Sequence, residues 1–351
     1  MNEMTELEWF RSEVPDLDLT GVRAEEHRLL SVLRDAAPSP ERAAGRRVPG
    51  RPRRALRLRV GLAGAGLGVA AAVTAAVVTV TADGEPGAPP VVHTMPVASV
   101  QVLKRAADHA AATPELRPRP GQFMVFESQT MDPVDSNSHD RQARYLARQE
   151  RKIWLPVEGD ATHGVLWSKT LPPKPYPGWP IPPEARQDVG HRSLSKAADF
   201  DDRAEHLRND YAYLSRLPAD PAKMYQHLYT GLGNGPEADA QAWQNVGGML
   251  SEAYMPAAQR AALFRAAAAI RGVTTVGRAV DAAGRTGVAV ALTTPGSGVR
   301  EEYIFDQKTY RYLGQRSVVT DAEQAGAPIG SVLTNSAQLK VSVADQAPAV
   351  D

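Results

Sequence analysis

The sequence predicts an α+β protein with N-terminal helices, one transmembrane helix, and a curved, mostly antiparallel sheet packed on helices. Three observations predict it. Charge is segregated along the chain, an uncharged run interrupts it near residue 60, and strand-like hairpins flank a helical middle. The 351 residues carry 40 Lys or Arg against 40 Asp or Glu, and 43% are apolar, the composition of a folded protein. There is no Cys, which excludes disulfides, thiol nucleophiles, Cys-ligated metal centres and the lipidated Cys of a lipoprotein.

The zero net charge divides by position. Residues 1–41 hold ten acids against four bases, residues 42–59 hold eight Arg and no acid, and the remainder holds 28 bases and 30 acids. Segment 1–41 reads as two short helices. Met4, Leu7 and Phe10 mark the first; Thr20 caps a second with Val22, Leu29, Leu30 and Leu33 on one face. That face is a candidate docking surface for a cytoplasmic regulator or for its own copy, or else part of a solvated tail, since so short a segment buries too little to fold alone. Segment 42–59 is a Pro- and Arg-rich linker.

From Val60 to Ala82 no residue is charged. As a helix, the 21-residue run 60–80 is about 31 Å long, enough for a bilayer core of about 30 Å. Arg46, Arg47, Arg51, Arg53, Arg54, Arg57 and Arg59 lie before it, whereas Asp83 and Glu85 are the only charges among residues 81–103. Under the positive-inside bias the N-terminus is cytoplasmic, the remainder is exported, and the protein sits in the cell membrane. A buried Ala-rich helix and a cleaved signal peptide ending near Val80-Thr81-Ala82 are the competing readings. Gly64, Gly68, Ala72 and Ala76 recur every fourth residue, a small-residue face through which two such helices could dimerise.

Residues 81–98 read as a Pro/Gly tether, 99–345 as an exported α+β domain, and 346–351 as a tail. Val100, Leu103, Ala107 and Ala110 predict a helix ended by Pro114, and residues 122–130 a strand. Residues 141–155 are ambiguous: the charges suit a helix, but Ile153-Trp154-Leu155 and the following turn suit a strand. Residues 164–169 would return. Seven prolines in 171–183 exclude helix and central strand; with Tyr176 and Trp179 the run reads as a rigid surface loop packing its aromatics on the domain, or else as a recognition motif. Helices follow at 199–217, after Asp220-Pro221, at 238–254 and at 256–270. Strand pairs 273–280/288–292 and 300–305/310–320, then a strand at 338–343, complete the domain.

Chemistry-bearing motifs are sparse. Gly296-Ser297-Gly298 lacks nucleophile-elbow spacing, Gly231-Leu232-Gly233-Asn234-Gly235 lacks the Lys-Ser/Thr of a phosphate loop, and the eight His form no metal-ligand pair. No catalytic, metal or cofactor-binding residue is singled out, no cofactor is expected, and the protein is read as a non-enzyme. A neutral total gives no reason to expect direct nucleic-acid binding. Phe123, Phe126, Trp154, Trp167, Tyr303, Phe305 and Tyr312 fall on predicted strands and could line an apolar groove for an exported lipid or peptide. The same pattern also suits a sheet–helix core.

Several stretches resemble a group of actinobacterial single-pass membrane proteins of unassigned function, often encoded beside sigma-70-type sigma factors. They are HRLLSVL (27–33), RPGQFMVFES (119–128), RKIWLPVEGD (151–160), AVDAAGRTGVAVAL (279–292), EEYIFDQKTYRYLGQRSVV (301–319) and GSVLTNSAQLKVSVAD (330–345). More remotely, the I-F-D-x-x-T turn and the element order look like the lipoprotein-carrier and periplasmic sigma-regulator fold. This resemblance implies a half-barrel around helices and an envelope sensor or anti-sigma-like regulator, with a sigma factor as candidate partner. The alternative is a membrane-anchored lipid- or peptide-binding module without a signalling role.

Overall fold

The computed structural model describes residues 75–80, 91–138, 141–158, 163–197 and 208–350. All lie within the second of two compact units, Val69–Asp351. Strand β1 (Ala75–Val80) pairs antiparallel with β2 (Val91–Pro96), and helix α1 (Val97–Ala112) follows directly. Next come β3 (Phe123–Ser138), β4 (Arg141–Pro156), β5 (Val165–Pro175), α2 (Glu184–Gln187) and β6 (Arg192–Lys196). The helical middle is α3 (Tyr211–Leu214), α4 (Pro221–Leu228), α5 (Pro236–Leu250) and α6 (Ala257–Ala267). The chain ends with β7 (Thr274–Val280), β8 (Thr286–Thr294), β9 (Val299–Phe305), β10 (Tyr312–Val319), α7 (Ala322–Ala325) and β11 (Val332–Ala344). The protein is thus α+β with a large antiparallel sheet of nine strands, ordered β6-β5-β4-β3-β11-β10-β9-β8-β7.

Two expectations about the N-terminal region need correction. The predicted transmembrane helix lies outside the described residues up to position 74. Its last six residues are strand β1 and not helix; among the described residues no helix is long and apolar enough to cross a membrane. Four of those six are β-branched (Val77, Val78, Thr79, Val80), and Val91-Val92-His93-Thr94 supplies a matching extended partner. The same pairing corrects the second half of the predicted 81–98 tether, whose residues 91–96 are strand and whose last two open α1; residues 81–90 lie outside the described residues. The candidate docking face (Val22, Leu29, Leu30, Leu33), the Arg46–Arg59 cluster, and Gly64, Gly68 and Ala72 lie outside the described residues; Ala76 is in β1.

Helices α1, α4, α5 and α6 cover one face of the β8–β10 region. On that face Val290, Leu292, Tyr303 and Phe305 meet Leu103, Trp243, Leu263 and Phe264. Trp243 stacks on Tyr303 at 4.4 Å between centroids, its Nε1 donates to Glu301 O at 3.1 Å, and Tyr303 Oη donates to Trp243 O at 2.5 Å. Each polar tip of this aromatic pair is therefore satisfied within the core. Gly247 makes the approach feasible, because a Cβ there would lie 2.6 Å from Tyr303 Oη. Asp220 caps α4, accepting from Lys223 N at 2.9 Å with Pro221 in the first turn.

The opposite face is finished by the β7–β8 turn. Ala282 N donates to Ser336 O at 3.3 Å, and Arg285 Nη2 donates to Leu313 O and Gln338 O at 2.8 and 2.9 Å. That turn therefore comes back over β10 and β11, enclosing Ala279, Ala289, Ile304 and Leu313. Gly314 permits the crossing, since a Cβ there would lie 2.1 Å from Ser336 O. Residues 141–155 resolve as strand: β4 pairs with β3 over its whole length. The proline-rich run begins within β5. Residues 171–175 pair with β4 alone, so prolines lacking N–H break no ladder on the outer side. Tyr176 is buried and Trp179 partly buried against Met131, Leu146 and Val319, as a packed surface loop requires. Of the predicted 199–217 helix, residues 199–207 lie outside the described residues, and only Tyr211–Leu214 is helical beyond them.

Candidate functional site

Helix α5 ends at Leu250, and Glu252 takes a left-handed backbone conformation (φ 50°) that turns the chain away. Ala253, Tyr254 and Met255 then run on as non-helical chain to α6. Beneath them lies a cavity of about 290 Å³. Ala106 and Ala110 of α1, Met249 and Leu250 of α5, and Phe264 of α6 form its apolar wall; Gln338–Val341 of β11 and Tyr310–Tyr312 complete it. Small side chains on α1 leave the volume. An engineered apolar cavity of about 150 Å³ already takes up benzene, so this one has room for an alkyl segment.

Four basic residues, His109, Arg260, Arg311 and Lys340, belong to the same lining. Among the described residues none of the four takes part in an ion pair. Arg260 is half-buried and faces the Tyr254 ring at 5.5 Å. Burial holds its pKa below the ordinary value, against the opposing influence of Tyr254 and Glu115. Burial also lowers the His109 pKa, and the charges of Arg260 and Arg311 lower it further, while Asp306 raises it. Burial and the two arginines thus favour the neutral imidazole.

Two carboxylates act on these groups, Glu115 on Arg260 and Asp306 on His109 and Arg311, and each is also fixed by backbone N–H groups. Glu115 Oε1 accepts from Ala257 N at 2.8 Å at the start of α6. Asp306 Oδ1 accepts from Lys308 N, Thr309 N and Thr309 Oγ1 at 2.8 to 3.0 Å, which fixes the β9–β10 turn and holds its own pKa down. That turn carries Tyr310 at φ 58°, an uncommon conformation for a bulky residue. Arg105 of α1 donates to Tyr310 Oη at 2.5 Å and lies 5.2 Å from its ring centroid. One buried acceptor in the lining, Gln338 Oε1, has no partner; it adjoins a second void of about 10 Å³ beside Ser128 and Glu252, the size of one water.

Of the seven aromatics predicted to line a groove, Tyr312 alone lines this cavity. Tyr303 and Phe305 are fully buried in the helix–sheet core, and Phe126 packs with Met124 and Tyr254 in a neighbouring cluster. Trp154 and Trp167 are half-buried on β4 and β5. Phe123 lines a separate hollow of about 430 Å³ between His163–Val165, Lys196 and the C-terminal residues 345–350. The aromatic stripe therefore serves mainly as core. The residues that give the cavity its charge went unmarked in the sequence, because His109, Arg260 and Arg311 belong to three distant segments and form no motif. Among the described residues no cluster of three or more His, Asp or Glu is placed to hold a metal ion.

No family model matches the chain, and no curated protein does. Among solved structures it is similar to a chain from the complex of Pseudomonas aeruginosa MucA and MucB, at 14% identity and a TM-score of 0.24. The match covers 72% of this chain and 59% of that one, so the chain spans less than two thirds of that protein's length.

Proposed function

We propose that the chain is a membrane-tethered binding protein whose α+β domain holds one elongated apolar ligand in the cavity between α1, α6 and β11. Residues 1–41, in this reading, pass its occupancy to a cytoplasmic regulator such as a sigma factor, as an anti-sigma-like sensor would. The carrying observation is the cavity itself, about 290 Å³ with a mainly apolar wall in an otherwise closely packed helix–sheet core. At about 0.8 kcal/mol per buried methylene, eight methylenes gain about 6 kcal/mol, which corresponds to a Kd of tens of micromolar before ordering costs. Binding rather than catalysis fits a lining whose two nearby carboxylates are occupied by backbone N–H groups.

The test uses the full-length protein in lipid nanodiscs with a diazirine-bearing sixteen-carbon probe, its adducts mapped by mass spectrometry. Adducts on Met249–Phe264 and Gln338–Val341, lost in Ala110→Phe, are expected. Their absence from both segments overturns the reading.

The tethering half rests on the charge partition and predicts an active export reporter fused after residue 351. With β1 in place, the uncharged run ahead of it, residues 60–74, would span about 22 Å as a helix. That is shorter than a bilayer core of about 30 Å, so Arg57 and Arg59 would have to extend their stems to the headgroups. A reporter active only in the cytoplasm sinks this half. A mature protein beginning after residue 82 replaces the anchor with a cleaved leader. For the signalling half, residues 1–58 within the full chain should retain a cytoplasmic partner that a deletion of Val22–Leu33 releases; no change on deletion removes it.

A further inference from the structure

The cavity has an apolar interior and a basic lining whose four bases form no ion pair among the described residues, and this pairing specifies more than an apolar guest. His109 comes from α1, Arg260 from α6, Arg311 from the β9–β10 turn and Lys340 from β11, so four separate elements each bring a base to one opening. Glu115 attracts Arg260 and Asp306 attracts Arg311, yet neither forms a salt bridge with its arginine, because each carboxylate is fixed by backbone N–H groups of its own turn or helix start; the two guanidinium forks are left open to a further acceptor. The chain also accepts an unfavourable backbone at Tyr310 and holds that ring at the opening with Arg105.

We propose that the cavity is selective for a single-chain acid, with its alkyl chain against Ala106, Ala110, Met249 and Phe264 and its carboxylate between Arg260 and Arg311 at the mouth, beneath Tyr310. This rests on the binding reading above and names its ligand class. A guanidinium presents a planar fork that a carboxylate fills with two parallel hydrogen bonds. One chain, rather than two, suits a volume of about 290 Å³.

The experiment compares three sixteen-carbon diazirine probes on the full-length protein in nanodiscs: the acid, the alcohol, and the single-chain lysophosphatidic acid. Labelling of Met249–Phe264 and Gln338–Val341 is normalised to probe in the disc. At least tenfold preference for the acid over the alcohol is expected. That preference should fall at least fivefold in Arg311→Gln, an exposed turn position that leaves the core untouched, and in Arg260→Gln. Equal labelling by acid and alcohol overturns this inference while leaving the cavity reading intact. Absence of labelling by all three overturns both. Stronger labelling by the lysophosphatidic acid overturns the carboxylate assignment in favour of a phosphate headgroup, and unchanged selectivity in both Arg variants removes Arg260 and Arg311 from the site.

Discussion

Arg260→Met separates a ligand-holding arginine from a structural one, because the two roles predict opposite signs for stability. The guanidinium is half-buried, has no ion-pair partner among the described residues, and faces Tyr254 at 5.5 Å. Partial removal of the charge from water, which the attraction of Glu115 and Tyr254 offsets only in part, costs about 1–3 kcal/mol. Methionine has a comparable length, keeps contact with the apolar wall and removes that cost. The substitution also forfeits the ring contact, about 0.5–1 kcal/mol. Glu115 keeps its bond from Ala257 N, so no new orphan is created. The ligand-free variant should therefore be more stable by about 1 kcal/mol, raising Tm by about 2–4 °C for a domain of this size. The assay is calorimetry on delipidated protein, since bound ligand would add its own stabilisation. Adding a sixteen-carbon acid should then raise Tm in the wild type and much less in the variant. A lower Tm in the ligand-free variant, with the ligand-induced shift intact, refutes the reasoning and makes Arg260 a structural residue.

Three further outcomes follow from the same geometry. Gly247→Ala should destabilise by about 1 kcal/mol despite better helix propensity, because its Cβ would meet Tyr303 Oη at 2.6 Å; the penalty should shrink in a Tyr303→Phe background, measured by urea unfolding as a double-mutant cycle. Glu302 has a fully buried side chain bridging Arg300 at 2.6 Å and Arg316 at 2.8 Å, so Glu302→Ala should cost about 2 kcal/mol in the same unfolding assay while leaving cavity labelling unchanged. His109 has its folded pKa depressed below 6.5, so the unfolded chain binds more protons in that window and stability falls as pH drops below about 6.5 through the folded pKa. His109→Gln should remove that part of the acid sensitivity in pH-dependent thermal melts, whereas a bound acid, which favours the imidazolium, should bind more tightly to the wild type as pH falls.

The local features of this fold were legible in the sequence. Asp220-Pro221 opens α4, residues 281–285 turn β7 into β8, and Asp306–Thr309 turns β9 towards β10, each through side chains acting within a few residues. Features decided by distant partners were not. Strand β11 reads as an isolated terminal strand, yet it lies mid-sheet between β3 and β10 and runs from Val332 rather than residue 338. Arg141–Pro156 carries charges at helical spacing because much of the β3–β4 hairpin is only half-buried, so no clean alternation marks it. Strand β6 (RSLSK) is exposed at all five positions and gives no burial pattern at all. At the N-terminus, an uncharged run supports either helix or strand; for Ala75–Val80 the β-branched residues and the partner at 91–96 decide it.

The cavity shows why a candidate site can escape a search for motifs. The apolar pattern of α5 points onward to Tyr254, but the helix stops at Leu250, where Ser251 is extended and Glu252 is left-handed. The segment that follows α1 is tied to this break from both sides: Leu116 N donates to Tyr254 Oη at 2.8 Å, and Glu115 caps α6. Alanines at 106 and 110 then face the gap with the smallest side chains that still suit a helix. Each feature alone is ordinary: a helix end, a capping carboxylate, two alanines. The opening exists because they meet at one place in the fold, and the same meeting brings arginines 51 residues apart in sequence to a common mouth. A packing fault would be expected to collapse around small side chains or to fill with a larger one. A fault edged with Arg260, Arg311 and Lys340, none of them in an ion pair among the described residues, has a reason to stay open, because closing it would bury those charges still more deeply.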